Sequence, residues 1–230
     1  MPTPTVGIVG GLGPESTVDY YKRIIDGWQR HDRSSAPPIV IDSLDAQLAL
    51  RLAATDRGAL TDYLAASLTR LTRAGVDFAV LTANTAHLVF DELAGRTSVP
   101  LISIVEVCAG EAKRQQLGRL LLLGTRFTME ASFYPEVFAR HGLTVVAPNA
   151  SDREWVHDRY VNQLLRGEFR DETRADFVTL IDRLRDEYDL HGVILGGTEL
   201  PLLLRAPTIA GLPTLDTTAL HVDAILERLR

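Results

Sequence analysis

Short apolar runs alternate with amphipathic stretches along most of the chain. The apolar runs are typical of strands buried on both faces of a parallel sheet, whereas the amphipathic stretches are typical of helices that cover such a sheet. Strands are predicted at residues 6–9, 39–41, 76–81, 100–104, 120–123, 143–147 and 193–195. Helices are predicted at residues 14–30, 56–74, 152–166, 171–189 and 217–230, with shorter ones after 104 and 125. This alternation predicts an α/β fold with parallel sheets.

Two pairs of strand ends recur at one spacing along the chain. Gly10 and Gly124 are 114 residues apart (124 − 10), and Ala83 and Gly197 are also 114 residues apart (197 − 83). A repeat of this kind indicates a duplicated half. We therefore predict two pseudo-symmetric α/β domains, each with a roughly four-stranded parallel sheet, and an active site in the cleft between them. The predicted bounds are 1–112 plus 211–230 for the N-terminal domain and 113–210 for the C-terminal domain.

Composition narrows the classes of partner. The net charge is −6 and no basic stripe is visible, which argues against nucleic acid. No apolar run approaches the roughly 18 residues that a membrane span needs, and the start at Met1 lacks the pattern of a signal peptide, so we expect a cytoplasmic protein. The single cysteine, Cys108, excludes an intrachain disulfide and argues against a thiolate metal cluster. No metal site is expected.

Two strand ends carry the candidate chemistry. Residues 80–87 read Val-Leu-Thr-Ala-Asn-Thr-Ala-His, and residues 194–200 read Ile-Leu-Gly-Gly-Thr-Glu-Leu. In each, an apolar run stops in small and hydroxyl residues before a helical pattern resumes. Unpaired N–H groups at a helix start suit an anion. We predict that the two corners hold a small dicarboxylate between them.

The glycine-rich turn after the first strand allows a nucleotide-binding alternative. Residues 10–13 read Gly-Gly-Leu-Gly, which lacks the G-x-G-x-x-G spacing, and Pro14 removes one N–H donor from a phosphate cradle. A dinucleotide is therefore the weaker interpretation. Glu15 and Ser16, at the start of the following helix, are explained by capping alone or by contact with a substrate.

At these residues the sequence resembles the aspartate/glutamate racemase family. The matching segments are 10–17 (Gly-Gly-Leu-Gly-Pro-Glu-Ser-Thr), 84–87 (Asn-Thr-Ala-His), 124–129 (Gly-Thr-Arg-Phe-Thr-Met), 198–199 (Thr-Glu) and 216–217 (Asp-Thr) with His221. Together they span essentially the whole chain. The resemblance implies two Rossmann-like domains, a PLP-independent enzyme of amino-acid metabolism that uses no cofactor, and a homodimer.

The family's catalytic cysteines are absent from this sequence. In the family, two thiols on opposite sides of the substrate α-carbon exchange its proton. The resemblance places them at Ala83 and Gly197, which carry no ionisable group. Cys108 lies in neither motif. The two-thiol mechanism therefore does not carry over.

The resemblance leaves the binding residues in place. It assigns carboxylate binding to Asn84, Thr85, Thr125 and Thr198. Two ionisable groups remain beside the missing thiols: His87, one helical turn after Ala83, and Glu199. We predict that His87 and Glu199 are catalytic acids or bases, while a structural capping role for His87 stays open. The predicted substrate-binding residues are Gly11, Glu15, Ser16, Arg51, Asn84, Thr85, Thr125, Thr128 and Thr198.

Three hypotheses for the function follow from this pattern. The first is a cofactor-independent enzyme that acts on a small carboxylic or amino acid through an enolate-like intermediate, with one acid/base group, as a lyase or an isomerase. The second is a catalytically silent dicarboxylate-binding protein. The third is an amino-acid racemase variant from which the cysteines were removed. In each, the partner is a small-molecule carboxylate.

Overall fold

The chain of the computed structural model, which describes residues 3–230, divides into two compact units. The first unit runs to Ile104 and takes in Thr218–Arg230, and the second unit is Val105–Thr217. The expected lack of a signal peptide concerns the start of the chain, where residues 1 and 2 lie outside the described residues.

Strands and helices alternate as predicted, and the α/β fold is confirmed. The strands are β1 (Val6–Gly10), β2 (Ile39–Ser43), β3 (Phe78–Leu81), β4 (Leu101–Ile102), β5 (Arg119–Gly124), β6 (Thr144–Val146), β7 (Gly192–Gly196), β8 (Thr208–Ile209) and β9 (Leu212–Asp216). The helices are α1 (Pro14–His31), α2 (Ala46–Thr55), α3 (Arg57–Arg73), α4 (Phe90–Ala94), α5 (Ile104–Arg114), α6 (Arg126–Glu130), α7 (Phe133–Arg140), α8 (Ala150–Asn162), α9 (Asp171–Tyr188), α10 (Leu200–Leu203) and α11 (Thr217–Leu229).

The first unit is built on a parallel sheet in the order β2-β1-β3-β4. The central strands β1 and β3 are buried along their whole length. Alternate side chains point to opposite faces, so Val9 and Leu81 join a core with the leucines of α3, whereas Ile8 and Val80 join a second core with residues of α1 and α11. Cover on both faces explains why these strands are continuously apolar.

The second unit repeats this arrangement in the order β6-β5-β7-β9-β8. Its first four strands are parallel, and β8 pairs antiparallel with β9 at the edge. Val6 of β1 pairs with Phe78 of β3, and Leu120 of β5 pairs with Gly192 of β7. Each second-unit residue is 114 positions after its first-unit counterpart (120 − 6 and 192 − 78). The repeat seen in the sequence is therefore a repeat of strand pairing.

The compact units differ in extent from the predicted domain bounds. Residues 211–230 were predicted to belong wholly to the N-terminal domain, but β9 hydrogen-bonds to β7 and belongs to the second sheet. The chain leaves the second unit only after Thr217. The other predicted bound, after residue 112, falls inside the continuous helix α5. Strand pairing therefore moves the second bound, because a strand follows its sheet, whereas the first bound moves to Ile104, where α5 begins.

Two element predictions are also corrected, and α2 is an element that the sequence did not predict. The fourth strand, predicted to reach 104, ends at Ile102 because α5 begins at Ile104. The helix predicted at 152–166 ends at Asn162, and a 3₁₀ turn follows. Helix α2 was not predicted. It begins after Asp45, whose carboxylate accepts the N–H groups of Gln47 and Leu48.

A close contact between α1 and α11 supplies a stability prediction. A Cβ on Gly27 would overlap the buried side chain of Leu226. We expect Gly27→Ala to lower the free energy of unfolding by about 1–2 kcal/mol, because overpacking outweighs the gain in helix propensity. Gly110 in α5 is the matched control, since a Cβ there meets nothing within 4 Å. Urea titration should show Gly110→Ala unchanged or stabilised, and equal effects at both positions would contradict the contact.

Candidate active site

The ends of β5 and β7 bring two predicted site segments together in the second unit. Gly124 and Gly196, the last residues of these strands, are paired in the sheet. A Cβ on Gly124 would lie 2.5 Å from the carbonyl oxygen of Gly196, so the backbones can approach this closely only because both positions lack a side chain. Thr125 and Gly197 therefore leave the sheet side by side.

Two threonines occupy the end of β5. Thr125 caps α6, and its hydroxyl accepts the N–H of Thr128 at 3.3 Å. The two hydroxyl oxygens are 3.2 Å apart, and both side chains are buried. The structure thus brings together Thr125 and Thr128, which the sequence predicted as substrate-binding residues.

Tyr160 of α8 fills the space beside Gly197. An ideal Cβ on Gly197 would lie 2.7 Å from both the Cζ atom and the hydroxyl oxygen of Tyr160. The phenol therefore stands where a side chain at position 197 would begin, which is the position that the resemblance gives to a thiol. The sequence analysis missed Tyr160. The available signal was the glycine itself, because a site that loses a side chain leaves space for another group to fill.

Glu199 is paired with this tyrosine. The Tyr160 hydroxyl donates a hydrogen bond to Oε2 of Glu199, and the Thr198 hydroxyl donates to the same oxygen at 3.3 Å. Only 1% of Glu199 and 3% of Tyr160 is exposed. Burial, and next the charge of Glu199, raise the pKa of the Tyr160 phenol well above its usual value. The pair therefore consists of a protonated phenol and a carboxyl group that accepts its hydrogen bond.

His87 lies beside Ala83, and both of its ring nitrogens are hydrogen-bonded to the backbone. Its Nε2 atom accepts the N–H of Ile104 at 3.2 Å, so the ring proton is on Nδ1, which donates to the carbonyl of Ala83 at 3.1 Å. Burial, followed by the charge of His221, lowers the pKa of His87 to about 3. Both ring nitrogens are committed to the backbone. The geometry thus supports the structural alternative, because a general base needs a lone pair that can reach the substrate.

The remaining first-corner residues lie at the end of β3. Asn84 is buried and precedes the 3₁₀ helix Thr85–Val89, and Thr85 is half-buried. Ala83 is half-buried and packs against the core beneath the sheet. The carbonyl of Ala83 is held by His87, so this histidine fixes the backbone at the position that the resemblance gives to the other thiol.

The turn after β1 is held internally. The Gly11 N–H donates to the hydroxyl of Thr17 at 2.8 Å. An N–H used in this way is not presented to a phosphate, which adds to the argument against a nucleotide cradle. Ser16 is fully buried, whereas Glu15 is exposed in the first turn of α1 and Arg51 is exposed on α2. No contact in the described chain tests their predicted role in substrate binding.

The elements that follow the ends of β3, β5 and β7 are short, which argues against the predicted anion site at a helix start. The 3₁₀ helix Thr85–Val89 has five residues, α6 has five and α10 has four. Such short elements align few peptide dipoles, so a helix N-terminus contributes little to anion binding here. Side-chain hydroxyl, amide and carboxyl groups are therefore the main chemical features of these corners.

Within residues 3–230, the structure supports neither a metal site nor a reactive thiol. No group of three or more His, Cys, Asp or Glu side chains among them could hold a metal ion. Cys108 is buried, and burial, with the charges of Glu111 and Asp216, raises the pKa of its thiol far above the usual value. A thiol that stays protonated is a poor nucleophile and base. None of the described helices has the length and apolar character needed to cross a membrane.

Comparisons with known proteins identify the family of the chain. The sequence profile of the Asp/Glu/hydantoin racemase family matches residues 9–225. The chain is 27% identical over 207 residues to the broad-specificity amino-acid racemase RacX of Bacillus subtilis (strain 168), and this covers 86% of the chain and 87% of the relative.

Solved structures show the same similarity. The crystal structure of an aspartate racemase homologue from Pyrococcus horikoshii OT3 superposes with a TM-score of 0.81 at 31% identity, over 98% of this chain and 99% of that one. A Yersinia pestis protein assigned as an Asp/Glu racemase gives a TM-score of 0.86 at 30% identity, over 98% and 99%. Profile, sequence and fold agree over nearly the full length, and the chain therefore belongs to the Asp/Glu/hydantoin racemase family.

Proposed function

We propose that this protein is a cofactor-independent isomerase that moves the α-proton of an amino acid or a related small carboxylic acid without the family's two thiols. The reaction passes through an enolate-like intermediate and uses one acid/base group, Glu199. Membership of the racemase family supports the reaction type. The relative from Bacillus subtilis is named as a broad-specificity amino-acid racemase, which supports an amino acid as the substrate.

One observation carries the proposal: polar side chains are retained and buried at the same strand ends that lack the thiols. Asn84 is 2% exposed, Thr125 4% and Thr198 2%. Hydroxyl and amide groups can donate hydrogen bonds to a carboxylate, and the resemblance assigns that role to these residues. A carboxylate that accepts such hydrogen bonds repels less strongly the negative charge that develops at its α-carbon.

The alternative functions differ in what they predict for the space beside Gly197. A variant made by removing cysteines would accept a thiol back at position 197, but there a Cβ would lie 2.7 Å from the Tyr160 hydroxyl. The filled space therefore favours a site that has adapted to glycine. Elimination or decarboxylation would share the enolate-like intermediate and stays a prediction. The homodimer implied by the family resemblance also stays a prediction.

A proton NMR time course in D₂O tests the proposal. We expect the wild-type protein to replace the α-proton of at least one member of a panel of the common L-amino acids, with aspartate and glutamate tested first. Asn84→Ala and Thr198→Ala should each lower the exchange rate by about 10- to 100-fold, the range expected on losing a hydrogen bond to a charged group. Any elimination or decarboxylation product would appear in the same spectra.

The control for this experiment is Thr179→Ala. Thr179 is exposed on α9, where its hydroxyl bonds to the carbonyl of Ala175. This variant should keep the wild-type rate. Broadened ligand signals without any exchange would instead favour the silent binding protein, and full activity in Asn84→Ala and Thr198→Ala would remove the proposed binding set.

A further inference from the structure

We propose that Tyr160 and Glu199 form a proton relay that takes over the role of the missing thiol at position 197. This inference rests on the proposed function and identifies the group that exchanges a proton with the substrate α-carbon. In it, Tyr160 is the catalytic residue that faces the substrate, and Glu199 is the group that stores the proton.

The position of the phenol is the first argument. Its hydroxyl oxygen lies 2.7 Å from the Cβ position of residue 197, from which a cysteine side chain would project. Tyr160 belongs to α8, and its partner Glu199 is 39 residues further along the chain, after β7. The pair is therefore assembled by the fold, at the place where the family resemblance puts a proton donor and acceptor.

The surroundings of the pair are the second argument. Tyr160 and Glu199 are both almost fully buried. Thr198 also donates to the carboxyl oxygen that accepts the phenol hydrogen bond. A buried carboxyl group that serves only packing is rare, because it must be desolvated. A hydrogen-bonded phenol and carboxyl shielded from water are suited to passing a proton between them.

The proton balance of the relay is simple. The substrate Cα–H bond breaks, its electron pair enters the enolate-like intermediate, and the proton forms a new bond to the Tyr160 oxygen. The original phenol proton moves along the existing hydrogen bond to the Glu199 carboxylate. Tyr160 is neutral before and after the step, while Glu199 becomes a neutral carboxylic acid. The reverse sequence returns a proton to carbon, so no oxidant or reductant is required.

The raised pKa of the Tyr160 phenol is consistent with this route. Burial and the neighbouring Glu199 raise the pKa of Tyr160 well above its usual value, so a lasting phenolate is disfavoured. The relay avoids one, because the phenol gains a proton as it loses one. The resemblance places the second thiol at Ala83, which offers no second acid/base group. We therefore expect deuterium from solvent to enter the α-position faster than the substrate loses its configuration.

The experiment compares α-proton exchange in D₂O for the wild type, Tyr160→Phe and Glu199→Gln, with L-aspartate, L-glutamate and the other common L-amino acids as probes. Tyr160→Phe keeps the ring that fills the space and removes only the hydroxyl. The relay predicts that each variant loses on the order of 10²- to 10⁴-fold in exchange rate. Tyr134→Phe is the control, since Tyr134 is an equally buried tyrosine of the second unit, and it should retain the wild-type rate.

The possible outcomes separate the relay from the proposed function. If the wild type is active and the exchange rate of Tyr160→Phe stays within about threefold of it, the loss is far below a general acid–base effect. That result overturns the relay and leaves the proposed isomerase function intact. A wild type that exchanges no probe overturns both. The melting temperature of each variant is compared with that of Tyr134→Phe. This comparison shows whether a lower exchange rate results only from unfolding of the variant.

A second measurement does not depend on deleting the hydroxyl. Incorporation of 3,5-difluorotyrosine at position 160 keeps the shape of the side chain and makes the phenol more acidic. The relay predicts that the exchange rate at a fixed pH changes, because the phenol both accepts and donates a proton in the step, whereas a tyrosine that only fills space leaves the rate unchanged. An unchanged rate would overturn the relay.

Discussion

Replacing Gly11 with alanine is expected to lower the free energy of unfolding by about 3–5 kcal/mol, the sum of overpacking and backbone strain. Gly11 has φ +76, a conformation that disfavours side chains. A Cβ there would also lie 2.5 Å from the backbone nitrogen of Leu44, and that nitrogen is held by its bond to the Gly10 carbonyl at 2.9 Å. Backbone atoms tied into a turn cannot move aside as a flexible side chain can.

The matched control for this prediction is Gly75→Ala. Gly75 has nearly the same backbone conformation, with φ +81, but a Cβ there would meet nothing within 4 Å. It should cost only the backbone strain, about 1 kcal/mol. Urea unfolding followed by circular dichroism measures both variants. Similar losses of unfolding free energy in Gly11→Ala and Gly75→Ala would show that the close approach of Gly11 to Leu44 does not restrict the side chain at position 11.

The functional consequence of Gly11→Ala is a test of local geometry. Gly11 donates to Thr17, and this bond fixes the start of α1, where Ser16 is buried. If the turn contributes to substrate binding as predicted, the variant should weaken binding of the exchanged amino acid at temperatures where it is still folded. Titration calorimetry below the melting transition separates this effect from unfolding.

Acidification from pH 7.5 to 4.5 is expected to destabilise the protein by about 5 kcal/mol through His87 and His221 alone. The pKa of His87 is lowered from 6.5 to about 3, first by burial and then by the charge of His221. The pKa of His221 is lowered from 6.5 to about 4 by burial, against the opposing effect of its bond to the Ile102 carbonyl. Tyr20 also bonds to this ring, at 2.9 Å.

The direction of this effect follows from proton uptake. Both histidines are neutral in the folded chain, and the unfolded chain begins to bind protons as the pH falls through 6.5. Stability is therefore fully present above that pH and is lost as the pH falls toward the folded values of about 3 and 4. Each histidine contributes about 2–3 kcal/mol of the loss by pH 4.5.

Single substitutions separate the two histidines. His87→Gln should reduce the pH slope of the unfolding free energy between 6.5 and 4.5 by about one proton, at the cost of lower stability at neutral pH. Chemical unfolding at a series of pH values provides the measurement. An unaltered slope in His87→Gln would mean that the ring is already protonated in the folded chain.

The sequence by itself determined the fold class and its internal repeat. Apolar runs, glycines at turns and capping residues determine local structure within a few positions, so they can be recognised in the sequence. Gly10 and Gly124 have the same spacing as Ala83 and Gly197, and the same spacing relates the strand pairs β1–β3 and β5–β7 of the two units. The family resemblance was confirmed by the sequence profile of the Asp/Glu/hydantoin racemase family, which matches residues 9–225.

Only the tertiary structure shows the partners of the titratable residues. The partner of His87 could not be read from local spacing, because Ile104 lies 17 positions away and is brought to the ring by the path of α5. Gly197 left space for another group, but nothing local in the sequence identifies Tyr160 of α8 as the residue that fills it. Strand β9 likewise joined the second sheet against the predicted domain bound. Contacts between distant segments depend on how helices and strands pack together. Residue patterns along the chain indicate only which helices and strands form.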